Sequence, residues 1–201
     1  MNTEIVLSSV NIRSLRRNKD ILLKEADNLS KNLIAVQETW LESNEDIQFK
    51  MPSLELTLNN AGCGIGIAAF YSADYKNNCN ISVKEYQISL YLSEKNAIIN
   101  VYRSQNGSFS NLSKDLCRVL SSIPPESETF VVGDFNFCYS MDDNLVKKTL
   151  IDLKFKQIVK EATHQAGHLI DHVYVKNARF NYIIKHQSVP FLDHDIIHVV
   201  T

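Results

Sequence analysis

The hydrophobic positions of this chain alternate between short apolar runs and longer stretches with helical spacing. Ile5 to Val10 is a short run with β-branched residues and predicts a strand. From Ser14 onward, leucines and an alanine recur at helical intervals between charged residues, which predicts a helix. Leu33 to Val36 is too short for a helix and predicts a second strand. A strand, a helix and a strand in this order are typical of layered α/β architecture.

The pattern continues along the rest of the chain. Two more helices are predicted, one over about Asn111 to Ile123, which Pro124-Pro125 ends, and one over Asp142 to Leu153. The clearest buried strand runs from Thr129 to Val132 and is closed by a Gly-Asp-Phe-Asn sequence. Further strands are predicted within Gly62–Tyr71 after a tight turn, at Ile81–Val83, Gln87–Leu92 and Ala97–Tyr102, and near Phe155–Val159, Leu169–Val175, Tyr182–Val189 and Ile196–Val200.

Length and composition are those of a single soluble globular domain over residues 1–201. Hydrophobic residues make up 44% of the chain and charged residues 22%, and no apolar run reaches the ~20 residues of a membrane span. The four cysteines form no Cys-x-x-Cys pair, which favours reduced thiols, no disulfide-linked partner and an intracellular location. The net charge of −2 counts mildly against a nucleic-acid partner, because phosphate contacts need basic residues.

Polar side chains stand where several predicted strands end. A single polar residue at such a position usually begins a loop or caps a helix, as Asn11 can do for the helix that begins at Ser14. If the strands share sheets, however, their ends converge on one rim and create a pocket rich in carboxylates. The side chains in question are Asn11, Glu38, Tyr102, Asp134, Asn136, Asp193 and His194.

Phosphodiester hydrolysis is the chemistry that such a pocket suits. Oxygen ligands such as Glu38 favour Mg²⁺ or Mn²⁺, which polarises a phosphoryl oxygen. A carboxylate such as Asp134 can orient or deprotonate the attacking water. Neutral donors such as Asn136 and Tyr102, and His194 when it is protonated, can stabilise the developing phosphorane oxygens.

Seven short motifs, in order along the chain, give it a resemblance to a known superfamily. The chain resembles the endonuclease–exonuclease–phosphatase superfamily and, within it, the apurinic-type endonucleases of transposable elements. The resemblance implies a DNase I-like fold, a layered α/β sandwich of two packed mixed sheets flanked by helices, with the site at one rim. The motifs are Asn11-Ile-Arg13, Gln37-Glu38-Thr39-Trp40, Gly64-Ile-Gly-Ile-Ala-Ala-Phe-Tyr71, Asn100-Val-Tyr102-Arg103, Gly133-Asp-Phe-Asn136, Thr163-His164 with Leu169-Ile-Asp171-His172-Val-Tyr174, and Asp193-His194-Asp195.

The resemblance also implies an activity and a metal. It implies an endonuclease that nicks DNA, leaves a 3′ hydroxyl and uses Mg²⁺, for which Mn²⁺ substitutes. Glu38 looks like the principal metal ligand, with Asn11 assisting. Asp193 resembles the acid that orients the histidine or helps to hold the metal.

The same resemblance implies the reacting groups. Asp134 resembles the carboxylate that activates the nucleophilic water, and Asn136 the donor to the transition state. Tyr102 resembles the phosphate-contacting tyrosine, and His194 the histidine that contacts the scissile phosphate. Asp193 completes this catalytic set.

Four further residues are expected on the substrate side of the site. Arg13 and Arg103 are candidate phosphate contacts, although an exposed arginine is more often only a solvated charge. Asp171 and Thr163 look like supporting positions at strand ends beside the substrate.

One position departs from the family pattern, and it keeps a second function open. Leu192 stands where the family normally has serine, which removes a hydroxyl beside the histidine and suggests reduced or altered activity. The alternatives are therefore a catalytically weakened domain that binds nucleic acid or protein, and a phosphatase acting on a small phosphoester in a deeper pocket. Two origins stay open as well, a domain of a larger polyprotein or a compact captured gene, with a nuclear location if the element is eukaryotic.

The spacing of three histidines raises a zinc site as a further alternative. His164, His168 and His172 are four residues apart, as zinc ligands on a helix would be. Gly167 and the β-branched residues that follow favour a strand instead, on which these side chains would lie far apart. We therefore expect no zinc site there.

Overall fold

Two six-stranded sheets, each built around a parallel pair of strands, form the framework of the part of the chain that the structure describes. The structure is a computed structural model, and it describes residues 4–26, 33–41, 54–60, 66–141 and 143–201. The strands are β1 (Ile5–Asn11), β2 (Leu33–Gln37), β3 (Glu55–Asn60), β4 (Gly66–Tyr71), β5 (Lys76–Val83), β6 (Tyr86–Leu92), β7 (Asn96–Arg103), β8 (Glu128–Asp134), β9 (Lys156–Gln157), β10 (Asp171–Lys176), β11 (Ile183–Gln187) and β12 (Ile196–Val200), and the helices are α1 (Leu15–Ala26), α2 (Phe109–Ser121) and α3 (Leu145–Asp152).

The parallel pairs bring the strand ends with polar residues to one rim. The first sheet has the order β11-β12-β1-β2-β4-β3, and β1 runs parallel to β2 with Asn11 opposite Gln37. The second sheet has the order β5-β6-β7-β8-β10-β9, and β7 runs parallel to β8 with Tyr102 opposite Asp134. Because the carboxyl ends of parallel strands lie at the same edge of a sheet, each sheet presents two polar strand ends there.

Apolar side chains from both sheets meet in a shared inner core. Leu7 and Ala35 of the first sheet and Ile98, Phe130 and Val132 of the second belong to one buried cluster. The outer face of the first sheet is covered by α1, and the outer face of the second by α2 and α3. The helix residues that pack there are Leu15 and Leu22 on the first sheet, and Leu112, Leu116 and Leu150 on the second. The predicted layered sandwich with flanking helices is confirmed.

The structure differs from the predicted elements mainly at edge strands. β3 was not predicted, because its sequence mixes polar and apolar residues and it lies at the edge of the first sheet. The strand expected near Phe155–Val159 is only the two residues of β9. Helix α3 begins at Leu145, and the Asn144 side chain caps it by accepting from the Lys147 N–H. The predicted turn at Gly62 to Gly64 lies outside the described residues.

No helix within the described ranges is long and apolar enough to cross a membrane. Cys79, Cys117 and Cys138 are free thiols, whereas Cys63 lies outside the described residues.

Gly133 allows β8 to pass close beside β7. Its φ is +133°, which side chains rarely adopt, and a Cβ placed there would lie 1.9 Å from the Val101 carbonyl oxygen. We expect Gly133→Ala to destabilise the fold by about 3 kcal/mol, through backbone strain and displacement of β7. Urea denaturation measures this, and Gly167→Ala is the control, because it shares a positive φ but has no atom within 4 Å of the added Cβ. Equal losses for the two variants would contradict the packing argument.

His172 lies in an aromatic cluster of the core. Its ring stacks on Phe135 with centroids 5.0 Å apart, and its nitrogens contact the Tyr174 hydroxyl and the Leu169 carbonyl oxygen. Because burial disfavours the charged ring, the pKa of His172 falls to about 4. His172 is therefore separated from His164, and the histidine triplet does not converge.

This buried histidine makes the fold sensitive to acid. Between pH 6.5 and about pH 4 the unfolded chain takes up a proton at His172 that the folded chain does not, so the contribution of His172 to the free energy of unfolding decreases as the pH falls. The expected loss is about 3 kcal/mol for this residue. Urea denaturation of the wild type and His172→Gln at several pH values measures it. His172→Gln should lack this loss, and equal slopes for the two proteins would contradict the assignment.

Candidate active site

Asp134 is the central acidic group of the rim. Its side chain is fully buried, and Oδ2 accepts a hydrogen bond of 2.9 Å from Asn11 Nδ2, which joins the two sheets. Asn136 donates its backbone N–H to Oδ1 at 2.8 Å and its side-chain amide to Oδ2 at 3.1 Å. Asn136 adopts φ 49° in the turn after β8, a conformation that asparagine tolerates well. The carboxylate is thus fixed in orientation by two asparagines.

The surroundings of Asp134 make it more basic than an ordinary aspartate. Burial raises the pKa of its carboxyl, and the neighbouring carboxylate of Asp171 raises it further. The charge of His194 and the hydrogen bonds from Asn136 and Asn11 act in the opposite direction without cancelling the rise. A carboxylate with a raised pKa is better matched to accepting a proton from water near neutral pH.

Asp171 holds His194 in place. The two are joined by a bond of 2.9 Å between His194 Nδ1 and Asp171 Oδ2, and both side chains are buried. Burial alone would lower the pKa of His194, but the attraction of Asp171 and its hydrogen bond outweigh burial and raise it to about 9. His194 therefore presents a protonated Nε2 to the rim at neutral pH.

Thr163 and Asp171 support the site from behind. The Thr163 hydroxyl oxygen accepts the backbone N–H groups of Ile170 and Asp171, at 3.2 and 3.0 Å. Thr163 is 1% exposed and Asp171 3%. The resemblance assigns both residues supporting positions at strand ends on the substrate side of the site. In the structure both are buried, with Asp171 bonded to His194 Nδ1 and Thr163 holding the backbone of Asp171.

Asp193 faces the opening of the site. Its Oδ2 forms an ion pair of 2.7 Å with Arg13 NH1 and lies 3.4 Å from His164 Nε2. Its Oδ1 is buried, has no hydrogen-bond partner, and lies 4.0 Å from His194 Nε2. Since Asp171 occupies the Nδ1 side of His194, this geometry favours metal binding over orientation of the histidine as the role of Asp193.

Glu38 reaches the same rim from the loop after β2. The loops after β1 and β2 are joined by hydrogen bonds from the Ile12 N–H to the Gln37 carbonyl oxygen and from the Ser14 N–H to the Glu38 carbonyl oxygen. Glu38 has φ 52°, and its Oε2 accepts a bond of 3.1 Å from Trp40 Nε1. Trp40 is 43% exposed at the rim.

The rim offers carboxylate and amide oxygens to a divalent cation. Among the described residues, two groups of ionisable side chains have their atoms within 4.8 Å of one another, namely His164 with Asp193 and His194, and Asp134 with Asp171 and His194. Because His194 is protonated and bonded to Asp171, the oxygens of Asp193 and Asp134 are the donors that these groups leave for a cation. Glu38 belongs to neither group; it follows Gln37, which pairs with Asn11 between β1 and β2, and the amide oxygen of Asn11 is a further donor. The unpartnered Oδ1 of Asp193 is the observation that most directly calls for a cation, because a buried carboxylate oxygen without a partner is costly.

Tyr102 ends β7 beside these carboxylates. It is 5% exposed, and its pKa is raised far above the usual value by burial first and then by Glu38 and Asp134. Its hydroxyl therefore stays protonated and can act as a hydrogen-bond donor at any pH at which the protein is folded.

Arg13 and Arg103 are placed very differently. Arg13 is half-exposed in the opening and pairs with Asp193, so it can reach a phosphate. Arg103 is 2% exposed, and its guanidinium donates to the carbonyl oxygens of Ser104, Gln105, Gly107 and Asn136. It also lies 4.1 Å above the Phe109 ring. This placement argues against the predicted phosphate contact and makes Arg103 a support for the loop that carries Asn136.

Leu192 is removed from the chemistry by its packing. Its side chain is 2% exposed and lies in the cluster between the first sheet and α1, with Val10 and Ile196 among its neighbours. Its carbonyl oxygen accepts a bond of 2.7 Å from Gln165 Nε2. Leu192 is therefore a core residue here, and its presence in place of serine is weaker support for the hypothesis that the site has reduced activity.

Two features of the site were not assigned from the sequence, and the first is a pair of buried amides. Gln37 Nε2 donates to Asn100 Oδ1 at 2.7 Å, and Asn100 donates to the Val36 and Ala68 carbonyl oxygens, which ties the sheets together below the rim. Gln37 and Asn100 both belong to the sequence motifs, and this membership was the one indication in the sequence that they support the site.

His164 is the second of these features. It accepts the Ala166 N–H at Nδ1, which leaves Nε2 as an N–H facing Asp193. Its ring lies 4.8 Å from that of His194. The Thr-His motif contained His164, but nothing in the spacing showed that it would face the opening.

The assembled residues line an open cleft of about 550 Å³. The polar side chains that line it are Arg13, Glu38, Asn136, His164, Asp193 and His194. Asp134 is fully buried and contacts Asn136, which lines the cleft.

Solved structures with this arrangement of strands support the assignment of the fold. The endonuclease domain of TRAS1, a telomere-specific non-LTR retrotransposon, is 13% identical with a TM-score of 0.72, over 99% of this chain and 98% of that one. The 3′-5′ exonuclease NExo from Neisseria meningitidis is 14% identical with a TM-score of 0.75, over 96% and 98%. An AP endonuclease from Archaeoglobus fulgidus is 13% identical with a TM-score of 0.73, over 100% and 99%.

The sequence comparison reaches the same fold family. A search of curated proteins found no match. The sequence model of the Endonuclease/Exonuclease/phosphatase family, whose members hydrolyse phosphoester bonds, matches residues 8–188. With nearly the whole chain matched and the strand-end residues gathered on one rim, this chain belongs to the endonuclease/exonuclease/phosphatase family.

Proposed function

We propose that this protein is a divalent-metal-dependent endonuclease that nicks DNA by in-line attack of a water activated by Asp134. The observation that carries the proposal is the buried pair of carboxylates at the rim. Asp134 is held by two asparagines and made more basic, while Asp171 holds His194 protonated beside it. A base and a cationic donor side by side suit hydrolysis of a phosphodiester.

Each side chain at the rim has a separate role in the proposed reaction. Asp134 accepts the proton of the attacking water, and Asn136 and Asn11 fix the orientation of its carboxylate. The water oxygen bonds to phosphorus as the bond from phosphorus to the 3′ oxygen breaks, and the 3′ oxygen takes up a proton from solvent and leaves as the 3′ hydroxyl. His194 Nε2 and the Tyr102 hydroxyl donate to the phosphoryl oxygens as their charge grows. Arg13 is free to exchange its contact with Asp193 for one with a phosphate, since it is half-exposed.

A cation fits this site through oxygen donors. Glu38, Asn11 and Asp193 would hold it, a set that favours Mg²⁺, with Mn²⁺ as a substitute. When bound, the cation polarises the phosphoryl group and offsets the charge that develops on it.

DNA is supported as the substrate by the shape of the cleft and by the structural neighbours. The cleft is open to solvent rather than an enclosed cavity, which leaves room for a polymeric substrate. One neighbour is the endonuclease domain of a retrotransposon, and NExo from Neisseria has been solved bound to a product DNA hairpin. We further propose that the chain derives from a retrotransposon polyprotein and that it acts inside the cell, in the nucleus if the element is eukaryotic.

A phosphatase activity is the second candidate. One structural neighbour is described as the 3′ phosphatase NExo, 14% identical with a TM-score of 0.70. The same buried carboxylates and histidine would serve either reaction, so the substrate must be tested directly.

A substrate panel separates these functions. Supercoiled plasmid, end-labelled single-stranded DNA, RNA, a DNA 3′-phosphate and p-nitrophenyl phosphate are each incubated with Mg²⁺, with Mn²⁺ and with EDTA. We expect metal-dependent nicking of the plasmid, lost in Glu38→Ala and kept in Glu94→Ala, an exposed glutamate in the turn between β6 and β7. Release of phosphate without nicking would replace the endonuclease by the phosphatase.

A further inference from the structure

Phe191 is an exposed aromatic residue close to the cleft, and its ring makes little contact with the rest of the protein. Its side chain is 96% exposed, the largest value among the exposed large hydrophobic residues described. Its backbone φ is 78°, in the left-handed region that side chains other than Gly, Asn and Asp rarely adopt. A water-exposed phenylalanine held in a disfavoured conformation gains nothing from the core, and residues strained in this way cluster at functional sites.

The segment that carries Phe191 is well anchored. Leu192, the next residue, is buried at 2% exposure, and its N–H donates to the Val189 carbonyl oxygen. Gln165 Nε2 holds the Leu192 carbonyl oxygen at 2.7 Å. The aromatic ring is thus presented on a fixed turn, two residues and at most about 7 Å of chain from Asp193 in the cleft.

A separate groove lies next to Phe191. It has a volume of about 450 Å³ and lies between this turn and α1, lined by Phe191, Pro190 and Val189 on one side and by Asp20, Ile21 and Lys24 on the other. Since Arg13 precedes α1 and lines the cleft, α1 leads from the cleft to the groove.

The charge along this path is opposite to that of the whole protein. Between positions 13 and 24 the chain carries five basic residues and one acid, Asp20, whereas the whole chain has a net charge of −2. Arg17 and Lys24 are both exposed and lie on either side of Asn18, where the helical backbone of α1 is interrupted. These basic residues can attract the phosphates of a nucleic-acid strand that enters the cleft at Arg13.

We infer that Phe191 stacks on an unpaired base of the nucleic-acid strand that leaves the cleft along α1. An aromatic ring beside a basic track is the arrangement that binds single strands, because every base offers a face for stacking and every phosphate a charge. The other strongly exposed phenylalanine, Phe180, is 59% exposed but lies near Glu128, at the opposite end of β8 from Asp134. This inference rests on the proposed function.

Binding of a DNA oligonucleotide that contains the fluorescent base 2-aminopurine tests the inference. It is measured in EDTA, so that cleavage does not interfere. Phe191→Ala should weaken binding about 5- to 150-fold, the effect of losing one stacked base, and should abolish the stacking-dependent quenching of the fluorescence. Phe191→Trp should retain both, and the matched control Phe180→Ala should bind as the wild type does.

A glycine variant separates this role from a structural one. Phe191→Gly relieves the left-handed backbone, so its melting temperature should not fall, while its binding should weaken as much as that of Phe191→Ala. Binding by the Phe191 variants equal to that of Phe180→Ala overturns the inference, even if the wild type nicks plasmid. If the wild type binds through Phe191 without nicking, the inference stands and the endonuclease proposal fails. If it neither binds nor nicks, both fail.

Discussion

Asp134→Asn should lower kcat for DNA nicking by about 10²- to 10⁴-fold, the range expected when a general base is lost. The amide keeps one oxygen in the position that Asn136 and Asn11 address, but it cannot accept the proton of the attacking water. The fold should be retained, because the substitution also removes the repulsion between two buried carboxylates, Asp134 and Asp171. Single-turnover nicking and a thermal melt of the same preparation measure the two quantities.

The matched control for this prediction is Asp143→Asn. Asp143 is an aspartate whose side chain is 97% exposed, and it pairs with Lys148 on the surface. It should nick at the wild-type rate. Activity in Asp134→Asn within a few-fold of the wild type would mean that another group activates the water.

Asp171→Asn should lower kcat by about 10²- to 10³-fold, as expected when a preorganised donor to the transition state is lost. The amide neither attracts a proton to His194 nor holds the ring as strongly as the bond of 2.9 Å from the carboxylate. Raising the concentration of Mg²⁺ should not restore the rate, because Asp171 is buried behind the histidine and is not expected to hold the cation.

Asp193→Asn is the comparison that makes this prediction specific. Asp193 faces the opening with an unpartnered Oδ1, so its loss should raise the concentration of metal needed for activity and be recovered in part at saturating metal. The measurement is the rate of nicking against the concentration of Mg²⁺ for both variants. Recovery of Asp171→Asn, with no recovery of Asp193→Asn, would reverse the two assignments.

Much of the fold could be predicted from the sequence, because buried strands such as β1, β2 and β8 are apolar runs of the right length. Edge strands were harder, since one side of an edge strand contacts solvent and its pattern is mixed. For this reason the sequence pattern does not predict β3, and it predicts a longer strand than the two residues of β9. The convergence of strand ends was predictable because parallel neighbours bring their carboxyl ends together.

The roles of the individual acids were less predictable. Asp171 and Asp193 both adjoin motif residues, and only the pairing of β10 with β8, which sets Asp171 opposite Asp134, decides which one reaches His194 Nδ1. The burial of Arg103 depends on carbonyl oxygens supplied by two loops and on the Phe109 ring, none of which a sequence pattern specifies. Leu192 was judged by its departure from a motif, whereas its packing shows why leucine fits.

The central claim is that the chain cuts DNA with a metal held at this rim. Single-turnover nicking of supercoiled plasmid tests it most directly, with wild type, Glu38→Ala and His194→Ala compared in Mg²⁺ and in EDTA. We expect nicking by the wild type in Mg²⁺, none in EDTA, and loss of nicking in both variants. Nicking that persists in EDTA or in both variants would contradict it, and so would a folded wild type that leaves the plasmid intact.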